Sequence, residues 1–110
     1  MSALLKDEDD LDKAIRENDR VMILFYASWC PFSRKFLPMF EEQADTASDP
    51  CRRLVIDDLD EVTEKYAINV FPTVLLFEKG KVAKRLDGKA GIGLNGTELA
   101  GFIGSCGFSR

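Results

Sequence analysis

The chain has 110 residues, 45% of them hydrophobic, which suits a single domain over residues 1–110 and excludes two, because each domain needs a buried core of its own. A formal net charge of -4 provides no basic surface for phosphates, so no nucleic-acid role is expected. Three cysteines, an odd number, with no histidine argue against a disulfide-stapled scaffold and a zinc site, and point to free thiols in a reducing compartment.

The start, Met1 to Asp7, lacks a basic segment leading into a long apolar one, and no apolar run approaches the ~20 residues that cross a bilayer. A cytoplasmic protein with no membrane attachment is therefore expected. Residues 7–18 place Leu11, Ala14 and Ile15 at spacings of three and four among charged side chains, predicting an amphipathic helix whose acidic start suits the positive end of the helix dipole. The run Val21, Met22, Ile23, Leu24, Phe25, Tyr26 and Ala27 is too short for a good helix and rich in strand formers, as in a central strand buried on both faces.

From Pro31 to about Ala47, Phe36, Leu37, Phe40 and Ala44 recur at helical spacing opposite Arg34, Lys35, Glu41 and Glu42. Pro38 lies inside this pattern and predicts one kinked helix. Asp49 and Pro50 mark a break, residues 53–57 a short buried strand, and residues 61–66 a short helix. Residues 73–77 and 81–86 form a hairpin around the Lys79-Gly80 turn at a sheet edge. The basic residues Lys79, Lys81, Lys84, Arg85 and Lys89 read as charges protecting that edge from pairing. The stretch 88–96 is glycine-rich, carries no phosphate-loop pattern and reads as a plain connection. Asn95, Gly96, Thr97 and Glu98 resemble a capping box ahead of Leu99, Phe102 and Ile103, which describe a last packed helix. The sum is a β-α-β half, a helix, a hairpin and a terminal helix: a mixed sheet covered on both faces.

The succession Phe25, Tyr26, Ala27, Ser28, Trp29, Cys30, Pro31, Phe32, Ser33 resembles the active-site segment of thioredoxins and protein disulfide isomerases. Pro38 falls where that family's helix kink lies, Phe71-Pro72-Thr73 is similar to its cis-proline motif, and residues 74–88 to its final hairpin. The resemblance runs along essentially the whole chain. It implies the thioredoxin fold, an α/β domain with a central mixed sheet flanked by helices on both faces.

A cysteine at a helix N-terminus sits beside unpaired backbone N–H groups and the positive dipole end, which favour thiolate over thiol. Cys30 is thus the expected nucleophile. Trp29, Pro31 and Phe32 beside it are candidate substrate contacts, with Trp29 offering an apolar surface to an incoming polypeptide. If Phe71-Pro72 is cis, as the resemblance implies, the Val70 and Phe71 backbone ahead of Pro72 can pair with an extended substrate in strand fashion.

Two departures from the family stand out. Ser33 occupies the place of the second cysteine; its hydroxyl can hydrogen-bond a Cys30 thiolate but cannot attack a mixed disulfide. Leu24 stands where the resemblance implies a buried carboxylate that moves the resolving cysteine's proton. Cys51 and Cys106 lie in regions that, in the family's fold, are away from the active-site turn, and read as buried or incidental thiols.

The expected function is thiol–disulfide exchange on protein disulfides or mixed disulfides through Cys30, with Ser33 making the site monothiol. Protein thiols and disulfides, glutathione or a thioredoxin-reductase-like donor are the implied partners; no cofactor is expected, and the chain is expected to be a monomer. Two other readings stay open: a polypeptide-binding or retention module without redox turnover, and a dithiol protein whose second cysteine was replaced by serine to trap mixed disulfides.

Overall fold

The computed structural model describes residues 2–47 and 50–106. In chain order they form β1 (Ala3–Leu5), α1 (Glu8–Glu17), β2 (Arg20–Tyr26), α2 (Pro31–Thr46), β3 (Cys51–Val55), α3 (Asp60–Lys65), β4 (Thr73–Glu78), β5 (Lys81–Asp87) and α4 (Gly96–Cys106). The strands make one sheet in the order β1-β3-β2-β4-β5. β3 runs parallel to β1 and β2, while β4 runs antiparallel to β2 and β5.

Alternation along β2 divides the interior into two cores. Val21, Ile23 and Phe25 pack with Leu11 and Ile15 of α1 and Val62 of α3. Met22, Leu24 and Tyr26 pack on the other face with Phe36 and Phe40 of α2 and Leu99, Phe102 and Ile103 of α4. β4 repeats the pattern, with Leu75 and Phe77 in the first core and Val74 and Leu76 in the second. Both strands are covered on both sides, which is why their sequences read as unbroken apolar runs.

Local chemistry sets the helix limits. Asp7 Oδ1 accepts the Asp10 N–H at 2.8 Å to start α1, and Asn95 Oδ1 accepts the Glu98 N–H at 2.8 Å to start α4. α2 is a single helix with Pro38 inside it, on the exposed side. Lys79 and Gly80 both take positive φ, 51° and 84°, the conformation that matches a two-residue turn to the twist of the flanking strands.

The structure corrects the bounds of one expected strand and adds two features. β1 was not anticipated, because three residues carry no measurable period; it becomes a strand by pairing Ala3, Leu4 and Leu5 with Arg52, Arg53 and Leu54. β3 begins at Cys51, not Arg53, and ends at Val55; Asp49 of the expected break lies outside the described residues. Arg53 is tolerated in the sheet because it donates to the Ser2 carbonyl and lies 3.6 Å from Glu41 of α2. The basic edge residues are also more than loose charges: Arg85 pairs with Asp87 and donates to the Tyr66 and Ala67 carbonyls at 2.9 and 3.0 Å, fastening β5 to the end of α3. Lys84 reaches the Ser105 carbonyl at 2.5 Å and Lys89 pairs with Glu98 at 3.1 Å. Among the described residues, no helix is long and apolar enough to cross a membrane.

Phe25 is fully buried and its ring lies 6.1 Å from that of Tyr66. Phe25→Ala should lower unfolding free energy by about 3–5 kcal/mol, the usual cost of emptying an aromatic core site, as read by urea denaturation. A loss below about 1 kcal/mol, no more than an Ile→Val change costs, would mean that this core does not hold the sheet.

Candidate active site

The antiparallel register sets Phe25 of β2 opposite Thr73 of β4. The chain leaving β2 and the chain entering β4 therefore meet at one end of the sheet. Beyond β2, the Cys30 N–H donates to the Ala27 carbonyl at 3.2 Å, closing a turn, and the Arg34 N–H donates to the Cys30 carbonyl at 3.0 Å, opening α2. Cys30 is the N-cap of α2, Pro31 begins the helix, and among the described residues no side-chain cap hydrogen bond closes its start. That end of the helix is left ready for an anion.

On the β4 side, the Phe71–Pro72 peptide bond is cis. Cys30 Sγ lies 4.0 Å from the Phe71 carbonyl oxygen. Trp29, 65% exposed, sets its ring edge-on to Phe71 at 6.2 Å. Trp29, Cys30, Phe71 and Pro72 are thus brought together, with Cys30 itself only 7% exposed. Val70 is half-buried beside them, but its carbonyl accepts the Thr73 hydroxyl at 2.7 Å, so the Phe71 carbonyl is the one turned to the sulfur.

Ser33 is fully buried, and its Oγ accepts the Ala27 N–H at 3.3 Å. That hydrogen bond ties Ser33 to the turn that carries Cys30. Ala27 lies just past β2, where its N–H needs an acceptor. Leu24 is also fully buried, within the second core. Cys30 belongs to the first core, whereas Cys51 and Cys106 lie in or against the second, and among the described residues none of the three forms a disulfide. Burial pushes the Cys106 thiol above its usual range, against the lowering influence of Ser105, Lys84 and Arg20.

Two contributors escaped the sequence reading. Asp57, just beyond β3, accepts the Ser28 N–H at 3.0 Å and the Ser28 hydroxyl, clamping the turn that carries Trp29 and Cys30. No local signal marks it, since its partner lies 29 residues away. The second is the glycine-rich stretch. A Cβ on Gly88 would lie 2.4 Å from the Pro72 carbonyl oxygen, and one on Gly93 would lie 2.8 Å from Phe32 Cβ. Both glycines let this stretch close directly onto the site, and their density was the available signal. Phe32 stays 38% exposed and Pro31 is exposed. Among the described residues no cluster of three or more His, Cys, Asp or Glu side chains is placed to hold a metal ion.

Comparison with known proteins bears on this arrangement. A family model described as Thioredoxin matches residues 2–99. Thioredoxin of Mycoplasmoides gallisepticum is 34% identical over 77 residues, covering 69% of this chain and 77% of its own. Endoplasmic reticulum resident protein 44 of Mus musculus is 31% identical over 87 residues, covering 72% of this chain but only 21% of its own, so the chain spans about a fifth of that relative. A solved structure of Plasmodium falciparum thioredoxin superposes with a TM-score of 0.83 at 26% identity, covering 94% of this chain and 97% of that one.

Because Gly88 packs its backbone against Pro72, Gly88→Ala should destabilise the chain by about 1–3 kcal/mol, the usual cost of overpacking. Gly101→Ala, in α4 with open space around it, should instead stabilise by up to about 1 kcal/mol through helix propensity. Thermal unfolding of the two variants checks the pair; equal shifts would contradict the close approach.

Proposed function

The chain belongs to the thioredoxin family, whose chemistry is thiol–disulfide exchange, and on that premise we propose that it works as a monothiol oxidoreductase with Cys30 as its nucleophile. The observation that carries this reading is the placement of Cys30 at the uncapped N-terminus of α2, 4.0 Å from the Phe71 carbonyl, with Ser33 where a resolving thiol would stand. The helix end favours negative charge at that point. Trp29, Pro31, Phe32, Val70, Phe71 and Pro72 contact the substrate in this reading, with the Val70 and Phe71 backbone pairing with an extended segment.

The Cys30 thiolate attacks one sulfur of a client disulfide. The Cys30–client bond forms as the client's own S–S bond breaks, and the departing thiolate takes up a proton. Ser33 has no sulfur with which to attack that mixed disulfide, and Leu24 has no group to carry a proton. Cys51 and Cys106 line the opposite core. An external thiol, with glutathione or a reductase-like donor as the source, therefore attacks the Cys30 sulfur and releases the reduced client. A second external thiol frees Cys30 and leaves as the external disulfide, which balances the electrons.

The same reading takes the chain as one domain acting as a monomer. Its three unbridged cysteines suit a reducing compartment such as the cytoplasm. The likeness to an endoplasmic reticulum resident protein points to the other compartment, but it covers about a fifth of that protein's length.

A glutathionylated peptide with excess thiol donor tests this. The chain should turn over repeatedly, Cys30→Ala should fall to the uncatalysed rate, and Ser33→Cys should reduce a protein disulfide without waiting for the donor to release the client. No turnover with any thiol donor, or full turnover by Cys30→Ala, would overturn the proposal. Client binding that survives Cys30→Ala would instead favour a non-covalent binding module.

A further inference from the structure

A groove of about 440 Å³ runs between α2 and the turn that precedes α4, within the ~300–1,000 Å³ span of sites that enclose small ligands. Its lining starts at Pro31, the neighbour of Cys30, and continues along Phe32, Lys35 and Met39 of the helix, facing Ile92 and Leu94. The facing wall is built by a closed turn. Lys89 N–H donates to the Gly93 carbonyl at 3.1 Å, while the Ile92 and Gly93 N–H groups donate to the Lys89 carbonyl at 3.0 and 2.8 Å. Gly91 and Gly93 take φ values of 75° and 80° that side chains resist, and Gly93 seats directly on Phe32.

The turn holds Ile92 69% exposed at the lip of this groove. Trp29, Phe32 and Ile92 are three of the five exposed large hydrophobic residues described, and all three border Cys30 or its groove. Such clustering marks a contact surface, whereas scattered single residues would not. Charge narrows the occupant. Glu98 lines the groove but is neutralised by Lys89 at 3.1 Å. Lys35 is exposed and, among the described residues, enters no ion pair. With Glu98 engaged by Lys89, Lys35 is the charge on this wall left to meet an incoming group.

We infer that this groove selects the client: an extended polypeptide segment flanking the target cysteine, with a bulky apolar side chain against Phe32, Met39 and Ile92 and a carboxylate at Lys35. The inference rests on the reading of Cys30 as the thiol that captures the client. It makes the 89–95 turn a specificity element, separate from the backbone of Val70 and Phe71 ahead of Pro72.

Three glutathione-capped peptides test it: one with leucine and glutamate beside the cysteine, one with lysine in place of the glutamate, and one with serine in place of the leucine. Glutathione release gives the rate of mixed-disulfide formation. The acidic peptide should react about two- to fivefold faster than its lysine counterpart, the range of an exposed ion pair, and Lys35→Glu should invert that order. Ile92→Ser should remove the preference for leucine over serine. Equal rates for all three peptides, or an order unmoved by Lys35→Glu, would overturn the inference. If no peptide forms a mixed disulfide, the proposal for Cys30 fails, and the groove is then judged by binding of serine-for-cysteine peptides to Cys30→Ala, read through the single tryptophan, Trp29. The same ranking would uphold the groove, and its absence would sink it.

Discussion

The antiparallel pairing of β2 with β4 is the constraint on which the rest depends. Leu24 opposite Val74 and Phe25 opposite Thr73 bring the exit of one strand to the entrance of the other. A slip of one residue would exchange the two faces of either strand, sending Phe25 or Phe77 to the wrong core. With both faces buried, that cost falls on every residue of the strand, so the register is strongly held. Cys30 and the cis Phe71–Pro72 bond, 41 residues apart in the chain, become neighbours through that pairing.

What is built at this junction is asymmetric. In the proposed chemistry the capturing half is served by a cysteine at a helix start, an exposed tryptophan, and an adjacent backbone carbonyl. The positions proposed to lack a resolving role serve the structure. Ser33 receives the Ala27 N–H and so helps hold the turn beneath Cys30, while Leu24 packs with the second core. In the proposed chemistry this division makes the site a capture device whose release comes from outside. The Asp57 clamp on Ser28 and the approach of Gly88 to Pro72 hold the two sides of the junction in place.

The fold was largely legible in the sequence because its long elements carry their own periodicity. The apolar runs of β2 and β4 declared a two-sided sheet, and Asp7 and Asn95 marked the helix starts they do cap. What stayed hidden depends on partners distant in sequence. β1 is a strand only because β3 lies beside it, and β3 extends back to Cys51 because Cys51 pairs with Met22 of β2. The site was legible as far as its motif reached, from Trp29 to Ser33 and from Val70 to Pro72. The 88–96 stretch lacked any named pattern, and its meaning came from contacts with Phe32 and Pro72 that composition alone does not encode.

The account stands or falls on which sulfur holds the client and on what lets it go. The direct measurement is mass spectrometry of the intact adduct formed with a disulfide-bonded peptide, with the bridged cysteine mapped by digestion before and after an external thiol is added. A single adduct on Cys30 that persists until the thiol arrives is the predicted result. An adduct on Cys51 or Cys106, or one that resolves without added thiol, would contradict it.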